Sequence, residues 1–146
     1  MSAADSLRLA ALDTEDLQVI SAALQDAVLT VRDLVYLPRD RRLTLSCNRF
    51  AWEVRKLRFG APERRRSALT LDRVFAVQSQ GIDRSRPNDV LSLLALQFED
   101  AAPHGHLTLV FSGGATIRLE VDCIEARLAD LGPQWSARMT PRHRLD

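Results

Sequence analysis

The stretch HLTLVFSGGATIRLEV (His106–Val121) decides the fold. Two runs rich in aliphatic and β-branched residues, HLTLVF and TIRLEV, flank SGGA, and this pattern reads as a β-hairpin. The turn sets the register. A three-residue loop, Ser112–Gly114, with Gly114 in the left-handed conformation, places Leu109 opposite Ile117 and Leu107 opposite Leu119, with Arg118 and Glu120 outward. A two-residue Gly-Gly turn would set Leu109 against Arg118. That slip sends the two apolar rows to opposite faces, so the three-residue loop is preferred.

Working outward, DCIEARLADLGP (Asp122–Pro133) reads as an amphipathic helix. Asp122 and Glu125 have capping-box spacing, Ile124, Leu128 and Leu131 fall on one side, and Gly132-Pro133 ends it. DTEDLQVISAALQDA (Asp13–Ala27) reads as a second helix. Asp13 or Thr14 is the N-cap, Glu15 and Asp16 face the positive end of the dipole, and Leu17, Ile20, Leu24 and Ala27 form the apolar face. The segments LRLAALDTED and IRLEVDCIEA share a strand, an aspartate and an acidic helix start, which suggests a pseudo-repeat.

Between the helices the pattern is that of strands. VLTVRDLVYL (Val28–Leu37), the turn PRDRR and LTLSCNRFAWE (Leu43–Glu53) form a hairpin, with Leu43, Leu45 and Cys47 on one face and Thr44 and Ser46 on the other. LRFGAPERRR (Leu57–Arg66) reads as a loop. SALTLDRVFAVQSQ (Ser67–Gln80) reads as a strand whose phase slips near Asp72 and Arg73, as at a bulge. GIDRSRPND is a loop, VLSLLALQFED (Val90–Asp100) a strand buried on both faces, and AAPHGH a loop.

The expectation is an α+β fold: one domain over residues 1–133, a mostly antiparallel sheet of about seven strands, an N-terminal and a C-terminal amphipathic helix, and a basic tail over 134–146. Continuous βαβ alternation is absent, which argues against a parallel sheet. Curled, such a sheet with a C-terminal helix is topologically similar to a pleckstrin-homology-like barrel, a likeness that carries no ligand.

The totals agree with one soluble domain. The chain has 146 residues, 46% hydrophobic and 27% charged, with net charge +1. The near-neutral balance counts against a nucleic-acid-binding domain, which shows a basic excess. All basic residues but Lys56 are arginines scattered along the chain, a compositional bias rather than a motif. No run of about 18 apolar residues could span a bilayer. The N-terminal stretch lacks the basic and apolar regions of a signal peptide. With Cys47 and Cys123 far apart and outside any CxxC, a cytoplasmic protein with reduced thiols is expected.

Five blocks, LQDAVLTVRDLVYLPRDRR, NRFAWE, ERRRSALTLDRV, GIDRSRPNDVLSLLALQFE and GGATIRLEVDCIEARLADLGP, resemble a bacterial family known only as domain of unknown function 2948. The resemblance runs over nearly the whole chain and implies a single domain. It implies no activity, cofactor or catalytic residue.

Chemistry-bearing constellations are sparse. His104 and His106 with Cys47 and Cys123 lack the paired short spacings of structural zinc, so no metal is expected. Cys123 at a helix start would gain thiolate character from the dipole, but Asp122 and Glu125 oppose it. FSGGA lacks the first glycine of a nucleophile elbow, and its glycines lie between strands instead of before a helix that could cradle phosphate. The strongest surface signal is basic and aromatic: Arg49, Trp52, Arg58, Arg64, Arg65 and Arg66, extended by Arg84 and Arg86. Arginine and tryptophan are frequent interface hot spots. The expectation is a non-catalytic protein-interaction or regulatory module that binds a protein partner or an anionic ligand there. A homodimer is compatible, no cofactor is implied, no membrane is involved, and nucleic acid is disfavoured. The alternatives are a small-molecule enzyme with an unrecognised site and an RNA-associated protein using the Arg/aromatic patch.

Overall fold

A computed structural model of the protein describes residues 6–51 and 63–132. In chain order the elements are β1 (Arg8–Ala11), α1 (Thr14–Ala23), β2 (Ala27–Thr30), β3 (Leu34–Leu37), β4 (Arg42–Phe50), β5 (Arg64–Leu71), β6 (Val74–Gln80), β7 (Val90–Ala101), β8 (His104–Phe111), β9 (Thr116–Val121) and β10 (Ala126–Asp130). All ten strands join one antiparallel sheet in the order β1-β10-β5-β4-β2-β7-β8-β9-β6, and β3 pairs with β4 beside β2.

The β8–β9 hairpin has the expected register, with Leu107 opposite Leu119 and Leu109 opposite Ile117. Phe111 N–H donates to the Ala115 carbonyl across Ser112–Gly114, and Gly113 and Gly114 both have positive φ. Two consecutive left-handed residues are tolerated there because neither carries a Cβ. In β4 the alternation also holds: Leu43, Leu45 and Cys47 are buried, and Thr44 and Ser46 are half-buried.

The expected seven-stranded fold with a helix at each end is corrected. The sheet has ten strands and does not close, and α1 is the single α-helix of the described residues. The supposed C-terminal helix is β10, which pairs with β1 on one side and β5 on the other. Ala126 and Leu128 point inward and Arg127 outward, which is period two. The sequence carries both periods, and backbone pairing over four residues with β1 and five with β5 overrides a weak helical preference. The pseudo-repeat fails with it, since only the first of its two segments starts a helix. Val28–Leu37 is two strands, broken by a 3₁₀ turn at Val31–Asp33. Thr30 and Asp33 form a capping box there, with Thr30 N–H and Oγ1 both donating to the Asp33 carboxylate. Arg64–Arg66, read as loop, begin β5, and β7 buries one face where two were expected.

The slip near Asp72 and Arg73 is a corner. β5 pairs with β10 and β6 pairs with β9, so a single bent ladder continues across it. Arg73 turns it with φ 65°, Asp72 N–H donates to the Glu125 carbonyl at 2.9 Å, and Asp122 N–H donates to the Arg73 carbonyl at 3.1 Å. After the corner, β6 leaves the side of β4, and a wedge opens between β6 and the β3–β4 hairpin. The apex is held by Val74 N–H donating to the Arg41 carbonyl at 2.9 Å and Tyr36 Oη–H donating to the Val74 carbonyl at 3.3 Å.

Helix α1 packs against β1 and β7. Asp13 accepts Asp16 N–H at 2.8 Å as N-cap, and Leu17, Ile20 and the following Leu24 are fully buried. The helix is tied to β7 where that strand bulges between Leu93 and Ala95: Leu96 N–H donates to buried Ser21 Oγ at 2.9 Å. Ser21→Ala strands that amide without a partner. We expect a loss of about 1–3 kcal/mol in urea unfolding, with the midpoint falling and the slope unchanged.

Candidate functional site

The predicted arginine surface separates into three settings. In β4 and β5 the alternation that buries leucines also turns Arg49, Arg65 and Ser67 inward, and Asp130 of β10 lies directly opposite Ser67. Arg49 Nε and Nη2 donate to the two Asp130 oxygens, each at 2.8 Å. Ser67 Oγ donates to the same carboxylate at 2.6 Å, and Leu7 N–H at 3.0 Å. Arg65 pairs with Glu63 at 2.8 Å and lies 3.8 Å from Asp130. The Arg49 side chain is 0% exposed and that of Asp130 4%, so both are interior groups. Burial pushes the Asp130 carboxyl up, but the hydrogen bonds from Arg49, Ser67 and Leu7 outweigh it and hold the group below the usual carboxylate range.

Arg64 and Arg66 point the other way on β5. The Arg64 guanidinium lies 4.0 Å above the Phe50 ring, and Arg66 reaches Asp33 at 3.5 Å. Arg86 pairs with Asp89 at 3.3 Å in the loop after β6. Trp52 and Arg58 lie outside the described residues, as do Lys56, Phe59 and the tail from Gln134.

The cysteines and histidines stay apart. Cys47 is fully buried in the core, and burial pushes its thiol up to about 12, so it does not ionise at neutral pH. Cys123 is exposed at the bend before β10. His104 faces Asp122 at 3.5 Å and packs edge-on against Phe75, while His106 Nδ1 is 3.0 Å from Arg118. No group of three or more potential metal ligands occurs among the described residues.

Two sizeable cavities are lined by described residues, the first of them at the corner. One, about 540 Å³, is lined entirely by charge, including Arg41, Arg42, Asp72, Arg73, Asp122 and Glu125. These charges pair among themselves: Asp72 takes Arg42 at 2.7 Å and Arg127 at 3.2 Å, and Glu125 takes Arg73 at 3.1 Å. It is a solvated ion network with little charge to spare.

The other occupies the wedge, with about 510 Å³. Leu34 and Tyr36 of β3, Leu43 of β4, Val77 and Ser79 of β6 and Ile117 of β9 form its walls. Ile82, Arg84 and Pro87 of the Gly81–Asp89 loop and Val31–Arg32 of the 3₁₀ turn complete it. Backbone bonds staple loop to turn: Val31 N–H to the Asp89 carbonyl at 3.0 Å and Arg32 N–H to the Pro87 carbonyl at 2.9 Å. Neither Arg32 nor Arg84 makes an ion pair with a described residue. This volume, an apolar body and a few polar groups at the rim are the usual properties of a small-ligand site. Sequence reading selected Arg84 but missed Arg32, Tyr36, Val77 and Ile82. The available signal was Thr30-x-x-Asp33, a capping box that interrupts a β-branched run.

The fold and site thus define a class: an incompletely closed antiparallel sheet domain, covered by one helix, with an apolar cavity in its open seam. The chain belongs to the family described as protein of unknown function (DUF2948), whose model matches residues 7–143. No curated protein and no solved structure matches it. Among the described residues no helix is long and apolar enough to cross a membrane.

The buried pair sets an acid-stability prediction. A carboxyl with a depressed folded pKa contributes stability above its unfolded pKa, and the contribution is lost as pH falls through the folded value. Asp130→Asn leaves Arg49 buried and unpaired, and should cost about 3–5 kcal/mol at pH 7. Chemical denaturation from pH 7 down to pH 2 should show the gap between wild type and variant narrowing toward the acid end.

Proposed function

We propose that this domain is a non-catalytic binding module of interaction or regulatory type, and that it takes its ligand in the seam between β3 and β6. The observation that carries this reading is the chemistry of the cavity wall. Among the described residues the wall holds aliphatic side chains, two prolines, one serine, Tyr36, Arg32 and Arg84. Acid–base or nucleophilic catalysis needs a carboxylate, imidazole, thiol or activated hydroxyl at the reacting atom. The wall supplies none of the first three, so no base lines it to activate the Ser79 hydroxyl, and the Tyr36 hydroxyl donates to the Val74 carbonyl.

The Arg/aromatic surface supports a nucleic-acid reading less well. Its arginines are divided between the two faces of the sheet, with Arg49 committed to the buried Asp130 carboxylate and Arg65 paired to half-buried Glu63. A groove that tracks a phosphate backbone needs arginines free on one face. Arg66 pairs with Asp33, the neighbour of cavity-lining Arg32 in the 3₁₀ turn. That ion pair is a link between the arginine surface and the cavity through the Val31–Asp33 turn.

The neutral fluorophore N-phenyl-1-naphthylamine reads an apolar cavity without testing charge. Wild type should bind it with saturable, one-to-one fluorescence enhancement. Val77→Phe on one wall and Ile82→Trp on the other should each abolish that enhancement while keeping the far-UV circular dichroism of the wild type. Unsaturable binding, or undiminished binding in both folded variants, would remove the seam from consideration.

A further inference from the structure

We propose that the seam selects an anionic amphiphile, a small molecule with one apolar chain or ring ending in a carboxylate or phosphate, whose head sits between Arg32 and Arg84. This rests on the seam being the ligand site. The argument is charge complementarity at the mouth of an apolar cavity. Arg32 and Arg84 both line it, and no carboxylate of the described residues does.

The acids nearest in sequence are occupied elsewhere. Asp33 accepts from Thr30 and pairs with Arg66, Asp83 accepts from Ser85 N–H and Oγ, and Asp89 pairs with Arg86. Two guanidinium groups are thus left without a counter-ion among the described residues, at a rim where their forks can meet carboxylate or phosphate oxygens two at a time.

The backbone holds both in place. Arg32 sits in a capped 3₁₀ turn, and its N–H is bonded to the Pro87 carbonyl. Arg84 sits in a loop closed by Asp83 onto Ser85 and by Arg86 N–H onto the Asp83 carbonyl. Below them the floor is apolar: Val31, Leu43 and Ile117 are core residues, and Leu34, Val77 and Ile82 pack against that core. A chain or ring fits such a floor, and a head that is itself a cation would meet two like charges at the rim.

The test is displacement of N-phenyl-1-naphthylamine by decanoate, decyl phosphate, decanol and decylamine, each below its micelle concentration. Decanoate or decyl phosphate should displace the probe about tenfold or more better than decanol, and decylamine should be weakest. Comparison of the two anions tells which head is taken. Arg32→Ala and Arg84→Ala should each erase the preference for anion over alcohol, read as the ratio of the two displacements within each variant, and raised salt should shrink it in wild type. Equal displacement by decanol and the anions, or a preference that survives in both variants, overturns the anionic head while leaving the seam as the site. Failure of wild type to bind the probe at all overturns the seam, and this inference with it.

Discussion

Asp130 ties the sheet together where its first and last strands meet. One carboxylate collects the Arg49 guanidinium from β4, the Ser67 hydroxyl from β5 and the Leu7 amide just before β1, while its own backbone N–H donates to the Leu7 carbonyl. No strand in this group is anchored by apolar contact alone. An ion pair so deep is weak evidence for net stability, because desolvation of both charges offsets most of their attraction. Its effect here is on specificity. With Arg49 inward, the observed register of β10 delivers a carboxylate opposite Ser67. A slip by one residue would present Ala129 and leave Arg49 unpaired.

That dependence explains where the sequence was and was not legible. The β8–β9 hairpin could be read because local chemistry and period two agree: adjacent glycines supply the turn, and only one register keeps both leucine rows on one face. Helix α1 could be read because Asp13 and the leucine spacing agree. β10 could not, since Ile124, Leu128 and Leu131 satisfy a helix while Ala126, Leu128 and Asp130 satisfy a strand. The deciding fact is a partner 81 residues away in the chain, invisible to any local window. The same holds for the arginines. RRR at Arg64–Arg66 reads as one cluster, yet in a strand its middle member must face opposite to its neighbours, and only pairing with Arg49 and its acids shows which face is the interior.

The seam follows from the corner. When β5 continues into β6 past Asp72 and Arg73, its partner β10 gives way to β9, and the bent ladder keeps its hydrogen bonds through the turn. β4 has no such continuation: at its start the chain doubles back through Pro38–Asp40 into β3. β6 therefore departs from the β3–β4 hairpin, and two strand edges face each other with no strand between them in the described sheet. Unpaired edges are a liability that proteins blunt by covering them or breaking their length. Here the wedge is stitched at its apex by Val74 and Tyr36 and at its mouth by the Gly81–Asp89 loop, which leaves a cavity instead of a sticky edge.

The cavity floor is also the core wall. Leu43 and Ile117 are 3% and 4% exposed, so a molecule seated above them would extend the packed interior across the one place where the sheet is not joined by strand pairing. Anything that binds the folded chain and not the unfolded one stabilises it by mass action. Within the proposed function, occupancy would act on the angle between the β3–β4 hairpin and β6, which hydrogen bonds hold at the apex and the Gly81–Asp89 loop holds at the mouth. It would reach the surface through the Val31–Asp33 turn, where Arg32 faces the cavity and Asp33 holds Arg66. A seam with no carboxylate in its described wall can still respond to a small molecule, provided that the molecule fills the gap the fold leaves open.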